Sequence, residues 1–202
     1  MKKISAVIFD VGNVLVKWDP RVIYEKHFED KTELDWFMDT VVNMDWHKHH
    51  DAGRTFEEGV RIRSEKFPDY ADLIKLYHTQ WDDTITGVIQ QSVDCLRALK
   101  AKGIPVYGLT NFNGPQFDRF RQQFDFIGLM DGVVVSGDEG IIKPDPAIYH
   151  LILERYGLKA EETYFIDDGL PNIVAARAEG IVGHHFTSPE GLVKELKDFG
   201  LI

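Results

Sequence analysis

The hydrophobic run ISAVIF, at residues 4–9, is followed directly by a carboxylate, Asp10, and then by Gly12 and Asn13. The run is rich in β-branched and apolar residues and shows no alternation of apolar and polar positions, which is typical of a strand that is buried on both faces. Such a strand needs cover on both sides. The pattern therefore predicts an interior strand of a layered sheet, with one acid and a turn at its carboxyl end.

Later parts of the chain repeat this pattern. Similar strand-like runs lie at 104–110, 132–136, 163–167 and 180–186. Helical patterns lie between them at 88–103, 145–157 and 170–180. The first of these places Val88, Val93, Leu96 and Leu99 on one helix face and ends at Gly103. Strands that alternate with helices predict an α/β fold with a parallel sheet and helices on both faces.

Residues 17–87 interrupt this alternation. They are rich in aromatic and charged residues and contain no convincing run of a buried strand, so we expect a helical insertion. We therefore predict a core of residues 1–16 and 88–202 with a helical cap at 17–87. The insertion begins just after Asp10, which favours a lid over the carboxyl edge of the sheet. We expect most of its large aromatic side chains to pack between insertion and sheet, namely Trp18, Trp36, Phe37, Trp46 and Trp81.

Charge and composition exclude several classes of function. The 202 residues carry a formal net charge of −10, which disfavours non-specific nucleic-acid binding because that binding needs basic residues to neutralise phosphates. The single cysteine, Cys95, excludes a disulfide framework within the chain and fits a buried core thiol. We see no signal peptide and no run of about 20 apolar residues that would span a membrane. We expect a cytoplasmic protein.

Several polar side chains are predicted to meet at one edge of the sheet. Ligands of open α/β sheets bind outside the carboxyl ends of the strands. Four separate segments place chemically capable groups there: Asp10, Thr110 and Asn111, Lys143 in a loop stiffened by two prolines, and Asp167 with Asp168. An acid after a strand is often only a helix cap, and a lone lysine is usually solvated. The occurrence of all four segments in this order is a much more specific indication of a ligand-binding site than any one of them alone.

These segments resemble the motifs of the haloacid dehalogenase superfamily, most of whose members are magnesium-dependent phosphohydrolases. FDVGNVLV resembles the first motif, LTN the second, KPDP the third and FIDDGLPNIVAARAEGI the fourth. The resemblance spans essentially the whole chain and implies a Rossmann-like core with a helical cap. Within the superfamily the sequence is most similar to bacterial phosphatases that act on α-glucose 1-phosphate. It therefore implies a small phosphorylated metabolite, such as a sugar phosphate, as the partner. Separately, we expect a monomer or homodimer.

The resemblance also implies roles for the residues. Asp10 would attack phosphorus and form an aspartyl-phosphate. Mg²⁺ would be held by Asp10, Asp168 and the carbonyl of Gly12, and it keeps several waters in such short ligand sets. Asp167 would support this shell rather than bind the metal directly.

The remaining motif residues would handle the phosphoryl group. Thr110 and the amide of Asn111 would hold phosphate oxygens. Lys143 would neutralise the nucleophile and the transferring group. Asn172 would bind near the substrate and orient Lys143 or the acidic side chains, although a first-turn residue that bonds its own helix is the alternative.

Gly12 departs from the usual pattern. Most phosphatases of the superfamily carry a second Asp there, which protonates the leaving oxygen and then activates water. We weigh three explanations: a phosphoester whose leaving group needs little help, a 2-haloacid dehalogenase, and a protein that binds phosphate ligands with little or no turnover. The dehalogenase is disfavoured, because its first motif differs and because adjacent carboxylates without a cation would repel one another.

A substitute acid could come from the insertion, where His47, His49 and His50 precede Gly53. Histidine titrates near neutral pH, and we single out His50 as the speculative acid. The alternative is that these residues are ordinary exposed or packed positions of a helix. A zinc cluster from the three is disfavoured, because their spacing fits no well-defined site.

Overall fold

The computed structural model describes residues 3–202. A five-stranded parallel sheet forms the centre of the protein. Its strands are β1 (Ala6–Phe9), β4 (Val106–Thr110), β5 (Gly132–Val135), β6 (Thr163–Asp167) and β7 (Val182–His185). Their order across the sheet is β5-β4-β1-β6-β7, so β1 is the central strand. All four neighbouring pairs are parallel, as the alternation of strand and helix patterns predicts.

Both faces of the sheet are covered, and β1 shows this directly. Val7 and Phe9 belong to one buried cluster, while Ile8 belongs to another on the opposite face. All three side chains have no exposed surface. The lack of polar alternation in this strand therefore follows from burial on both faces, and the predicted α/β class is confirmed.

Ten α-helices lie in the described part of the chain. They are α1 (Lys31–Trp36), α2 (Met44–Asp51), α3 (Phe56–Lys66), α4 (Ala71–Thr79), α5 (Gln90–Ala101), α6 (Gly114–Gln123), α7 (Ser136–Glu139), α8 (Pro146–Tyr156), α9 (Leu170–Ala178) and α10 (Pro189–Asp198). Four of them, α1 to α4, lie between residues 17 and 87, together with short 3₁₀ turns and a π turn at Phe37–Val41. None of the described helices has the length and apolar character needed to cross a bilayer.

The structure corrects the sequence-based prediction where the insertion joins the core. A two-stranded antiparallel ribbon forms there from β2 (Val16–Trp18) and β3 (Ile85–Val88). The prediction of a purely helical insertion missed this ribbon, and Val88 lies in β3 rather than in the helix, which begins at Gln90. The two expected boundaries at 16/17 and 87/88 therefore fall inside paired strands.

The large aromatic residues of the insertion differ in their surroundings. Trp81 is buried and contacts Phe112 of the core, as expected. Phe37 and Trp46 are also buried, but their aromatic contacts are with other residues of the insertion, and Trp36 is 45% exposed. Trp18 and Trp81 face a cavity beside the carboxyl ends of the strands. Cys95 is buried on α5, which fits the predicted core thiol.

Candidate active site

The predicted polar residues meet at one edge of the sheet. Asp10 follows β1, Thr110 ends β4 and Asp167 ends β6, so three adjacent parallel strands deliver their last side chains to the same rim. Asp10 is 7% exposed and Thr110 is 1% exposed. Burial at strand ends gives these groups a rigid mount, which a reacting side chain needs.

Asn13 shapes the turn that follows Asp10. Asn13 has φ 54°, a left-handed conformation that asparagine tolerates better than most residues. Its backbone amide donates to the Val16 carbonyl at 2.7 Å, and its side-chain oxygen accepts from the Trp18 amide at 3.0 Å. A Cβ added at Gly12 would meet no atom within 4 Å. Crowding therefore does not explain the glycine, and the space beside it is open.

Lys143 is the central cation of the site. Its ammonium donates to Leu109 O at 2.9 Å and to Asp167 Oδ2 at 2.7 Å, and it lies 2.9 Å from Asp10 Oδ1. These three acceptors match the three N–H donors of an ammonium group. Burial alone would lower the pKa of Lys143, but the two carboxylates raise it above its usual value. The side chain is therefore a fixed positive charge beside Asp10.

Asn111 fixes the loop that carries this lysine. Its side-chain amide donates to the Lys143 carbonyl at 3.0 Å, and its side-chain oxygen accepts from the Lys143 amide at 2.8 Å. The side chain is thereby committed to the loop. The backbone amide of Asn111, which was expected to hold a phosphate oxygen, takes no part in these two bonds.

Asp167 is fully buried and its two oxygens are both engaged. Oδ2 binds Lys143, while Oδ1 accepts from the Gly169 amide at 2.7 Å and from Asn172 Nδ2 at 2.9 Å. Asp167 therefore braces both Lys143 and the turn at Gly169, and its role beside a metal stays a prediction. This pattern of bonds also shows that Asn172 bonds an acidic side chain directly, so that any effect on Lys143 passes through Asp167.

The acidic groups exceed the positive charge that the protein supplies. Asp10, Asp167 and Asp168 each offer a carboxylate oxygen within 4.8 Å of the others, and Lys143 is the cation among them. Burial raises the pKa of Asp10 to about 7 although Lys143 lowers it, and both other acids add to the rise. Burial and Asp167 likewise raise the pKa of Asp168. A hard divalent cation would offset this repulsion, and the oxygen donors suit Mg²⁺.

A cavity of about 560 Å³ opens above these groups. Its floor is polar and contains the predicted residues Asp10, Gly12, Thr110, Asn111, Lys143, Asp168 and Asn172. Its wall is largely apolar and comes mostly from the insertion and the ribbon, with Trp18, Met44, Trp81, Ile85 and Phe112. A charged group can therefore bind at the sheet edge while a less polar group contacts the wall.

The end of α2 is docked onto the same rim. Ser136, directly after β5, donates its hydroxyl to the Asp51 carbonyl at 2.6 Å. Asn113, in the loop after β4, donates to the carbonyls of His50 and Arg54, both at 3.2 Å. These bonds join the insertion to the core beside the cavity.

Replacing Gly53 with Ala is expected to destabilise the protein by about 1–3 kcal/mol, because strained backbone and a close contact coincide there. Gly53 has φ +100°, and an added Cβ would lie 2.8 Å from the Gly137 carbonyl oxygen. Urea unfolding measures this loss. The matched variant Gly140→Ala, at φ +69° with no atom near its Cβ, should lose only about 1 kcal/mol. Equal losses in the two variants would show that the Gly53–Gly137 contact contributes nothing.

His50, the speculative acid, has its side chain elsewhere. It is fully buried between Trp46 and Phe56 and lies against Gly59. Burial, with a contribution from Arg54, lowers its pKa to about 3. His47 and Lys48 of the same helix line the cavity. This placement argues against the acid role predicted for His50.

We expect His50→Ala to lower stability by about 2–4 kcal/mol, since it removes a packed ring from a buried aromatic cluster, and to leave kcat within about threefold of wild type. Thermal unfolding measures the first quantity, and initial rates on a substrate of the wild-type protein measure the second. A large loss of kcat with little loss of stability would restore His50 as the acid.

Among the residues that line the cavity, the sequence does not single out His47, Lys48 or Asp51. His47 was in view as one of three neighbouring histidines, but nothing in the local pattern marks which of the three faces the cavity. Asp51 lies between these histidines and Gly53. The signal available was the acid-x-glycine step at a helix end, which alone does not indicate an active site.

Comparison with known proteins agrees with the motifs. The family profile for haloacid dehalogenase-like hydrolases matches residues 4–180. This chain is a haloacid dehalogenase-like hydrolase. The resemblance at superfamily level is thereby confirmed, and the rim of Asp10, Lys143 and Asp168 is the candidate active site of a hydrolase.

Curated relatives cover nearly the whole hydrolase. Over 96% of its length the hydrolase is 31% identical to the sesquiterpene phosphatase astK of Aspergillus oryzae, and the match spans 95% of astK. The hydrolase is also 31% identical, over 96% of its length, to the drimenol cyclase drtB of Aspergillus calidoustus, of which it spans 36%. The hydrolase therefore corresponds to one part of that longer protein.

A solved structure shares the fold. It is a family enzyme of Bacteroides thetaiotaomicron in complex with magnesium and inorganic phosphate, 22% identical, with a TM-score of 0.67 over 90% of this hydrolase and 93% of that chain. At this identity the likeness supports the fold alone.

Proposed function

We propose that this hydrolase is a Mg²⁺-dependent phosphatase that transfers the phosphoryl group of a small phosphomonoester to Asp10. The observation that carries the proposal is the contact of the buried Asp10 carboxylate with Lys143 at 2.9 Å, at the floor of the cavity and within reach of Asp168. The relative named a sesquiterpene phosphatase adds support.

The residues divide the task as follows. Asp10, Asp168 and the carbonyl of Gly12 would hold the cation, which when bound neutralises phosphoryl oxygens and the acidic cluster. Lys143 and the backbone amide of Asn111 stabilise the negative charge on the group in transfer. Thr110 donates its hydroxyl to a phosphate oxygen. The contacts of Asp10 with Lys143 and with the Val11 amide both use Oδ1, so Oδ2 is the oxygen that is free to attack.

The chain divides, in this proposal, into a core of residues 1–16 and 88–202 and a cap of 17–87. The ribbon of β2 and β3 crosses both boundaries, and such a short paired neck suits a hinge. Closure of the cap would exclude bulk water during phosphoryl transfer. A cytoplasmic location and a monomeric or homodimeric state stay predictions.

The substrate is proposed as a phosphomonoester whose organic part contacts the apolar wall. A sugar phosphate, as in the phosphatases of α-glucose 1-phosphate, would place a ring face against Trp18 or Trp81. A second candidate is the phosphate of an apolar alcohol. It is favoured by Met44, Ile85 and Phe112 in the same wall and by the name of the sesquiterpene phosphatase.

The alternatives make different use of the rim. A 2-haloacid dehalogenase would use Asp10 as nucleophile on carbon and would have no need of a cation, which leaves the repulsion among Asp10, Asp167 and Asp168 unrelieved. A protein that binds phosphate ligands with little or no turnover would still hold the cation, but it would not transfer the phosphoryl group to Asp10.

A panel assay separates these functions. Phosphate release is measured from sugar phosphates, prenyl and alkyl phosphates and p-nitrophenyl phosphate, each with Mg²⁺ or with EDTA, while halide release from 2-haloacids is measured in parallel. The proposal expects phosphate release that requires Mg²⁺, and the ranking of esters decides between the two substrate candidates. Halide release without metal, or Mg²⁺-dependent phosphate binding without turnover, would overturn it.

A further inference from the structure

A second buried acid faces the cavity and has no role in the chemistry described so far. Asp51 is the last residue of α2 and lines the cavity together with Asp10 and Lys143. Its side chain is 8% exposed. Phosphoester hydrolysis through Asp10 needs a group that protonates the leaving oxygen. The position from which an acidic side chain usually does this is occupied here by Gly12.

The main chain of Asp51 is fixed relative to the strand ends. Ser136 donates to the Asp51 carbonyl at 2.6 Å, and Asn113 donates to the His50 and Arg54 carbonyls on either side. The acid therefore belongs to the insertion but is anchored by core residues that follow β4 and β5. Such an anchor holds the carboxyl group at a set place on the cavity wall whenever this docked arrangement forms.

The side chain is held by a buried histidine. His47 Nε2 lies 3.3 Å from Asp51 Oδ2, and the imidazole stacks between Trp18 and Trp81 with ring centroids at 4.9 and 5.7 Å. Burial lowers the pKa of His47 to about 3, so the ring is neutral at neutral pH. The Tyr77 hydroxyl, whose pKa burial raises well above its usual value, contacts Nδ1. Nε2 is the ring nitrogen that faces Asp51 Oδ2, so Oδ1 is the oxygen of Asp51 that stays available to carry or release a proton.

The environment suits proton transfer near neutral pH. Burial raises the pKa of Asp51 to about 7, against a lowering effect of Lys143. The other titratable groups around it are His47 and Lys48 on its own helix, Tyr77 on α4, and Asp10 across the cavity. An acid whose pKa lies close to the working pH can serve both as donor and as acceptor.

We propose that Asp51 is the general acid and general base of the phosphatase, in place of the side chain missing at Gly12. The inference rests on the proposed phosphatase function and names a further catalytic residue for it. In the first step Asp10 Oδ2 forms a bond to phosphorus, the bond from phosphorus to the ester oxygen breaks, and the Asp51 carboxyl proton moves to that oxygen to give the alcohol. In the second step the Asp51 carboxylate takes a proton from water. The water oxygen bonds to phosphorus, and the bond to Asp10 breaks to release phosphate.

The test separates the two steps by leaving group. A p-nitrophenolate leaves without a proton, whereas the alkoxide of an alkyl phosphate needs one. With p-nitrophenyl phosphate, Asp51→Asn should release one equivalent of p-nitrophenol per active site at a rate within about tenfold of wild type, and then turn over about 100-fold more slowly. With an alkyl phosphate the formation of the phosphoenzyme itself should slow by about 100-fold or more.

Asp45→Asn is the matched control, because Asp45 lies on the same helix with an 88% exposed side chain and should behave like wild type. Uniform slowing of all steps by Asp51→Asn, or no slowing, would overturn the inference and leave the phosphatase in place. If the Asp51→Asn protein does not fold, Asp51→Glu is measured instead, because it keeps a carboxyl group. This variant must show the same dependence of rate on leaving group as wild type. Loss of that dependence would also overturn the inference. Absence of phosphate release by the wild-type protein would instead defeat the proposed function.

Discussion

Replacing Asp10 with Asn is expected to lower kcat for phosphoester hydrolysis by about four orders of magnitude or more, because an amide oxygen does not form the covalent intermediate. The fold should survive the change. The substitution removes one of three neighbouring negative charges, and Lys143 keeps its contacts with Asp167 and Leu109. Initial rates at saturating ester and Mg²⁺ measure the loss of kcat, and thermal unfolding in EDTA measures stability.

The control for this variant is Asp125→Asn, which removes a 92% exposed carboxylate and should leave kcat unchanged. An Asp10→Asn protein that folds and keeps more than about one-hundredth of wild-type kcat would contradict a covalent role for Asp10.

Replacing Lys143 with Met is expected to lower kcat by about 10²–10³-fold and to destabilise the metal-free protein by about 3–5 kcal/mol. The ammonium is almost completely buried and is shared by Asp10 and Asp167, so its removal leaves two buried carboxylates without their cation. The loss of stability should be smaller in Mg²⁺ than in EDTA, since a bound cation offsets part of the same charge. Urea unfolding in both buffers and steady-state kinetics measure these effects.

A double variant separates the catalytic from the structural part of this lysine. Lys143→Met combined with Asp167→Asn removes one charge of each sign and should recover part of the lost stability. It should recover none of the lost kcat, because the positive charge beside Asp10 is still missing. Recovery of activity with stability would mean that Lys143 acts mainly by holding the fold.

The sequence predicted the core well because its signals are local. The run that ends at Asp10 is apolar on both faces, and the structure buries both faces of β1. The rule that ligands bind at the carboxyl ends of parallel strands then placed Thr110 and Asp167 beside Asp10 without any knowledge of the tertiary contacts.

The ribbon of β2 and β3 could not be predicted in the same way. Each strand has only three or four residues, and Val16 pairs with Val88 from the far end of the insertion. Such pairing is stabilised by tertiary context rather than by local propensity. The apolar spacing that assigned Val88 to a helix continues smoothly into α5, so the boundary at Gln90 was not visible.

The face of α2 that meets the cavity was also hidden from the sequence. The segment carries His47, His49, His50 and Asp51 within one and a half helical turns, and it is too polar to indicate a buried side. Docking by Ser136 and Asn113, residues far along the chain, selects His47 and Asp51 for the cavity and directs His50 into the aromatic cluster.

The most direct test of the account is to trap the phosphorylated residue. The protein is mixed with Mg²⁺ and a phosphoester that it turns over, quenched in acid within one turnover, treated with borohydride to reduce any acyl phosphate, and digested for peptide mass spectrometry. The account predicts that the reduced residue is Asp10, and that it is absent without Mg²⁺ and in the Asp10→Asn variant. Phosphate release at full rate with no modification at Asp10, or a phosphoryl group on another residue such as His47, would contradict it.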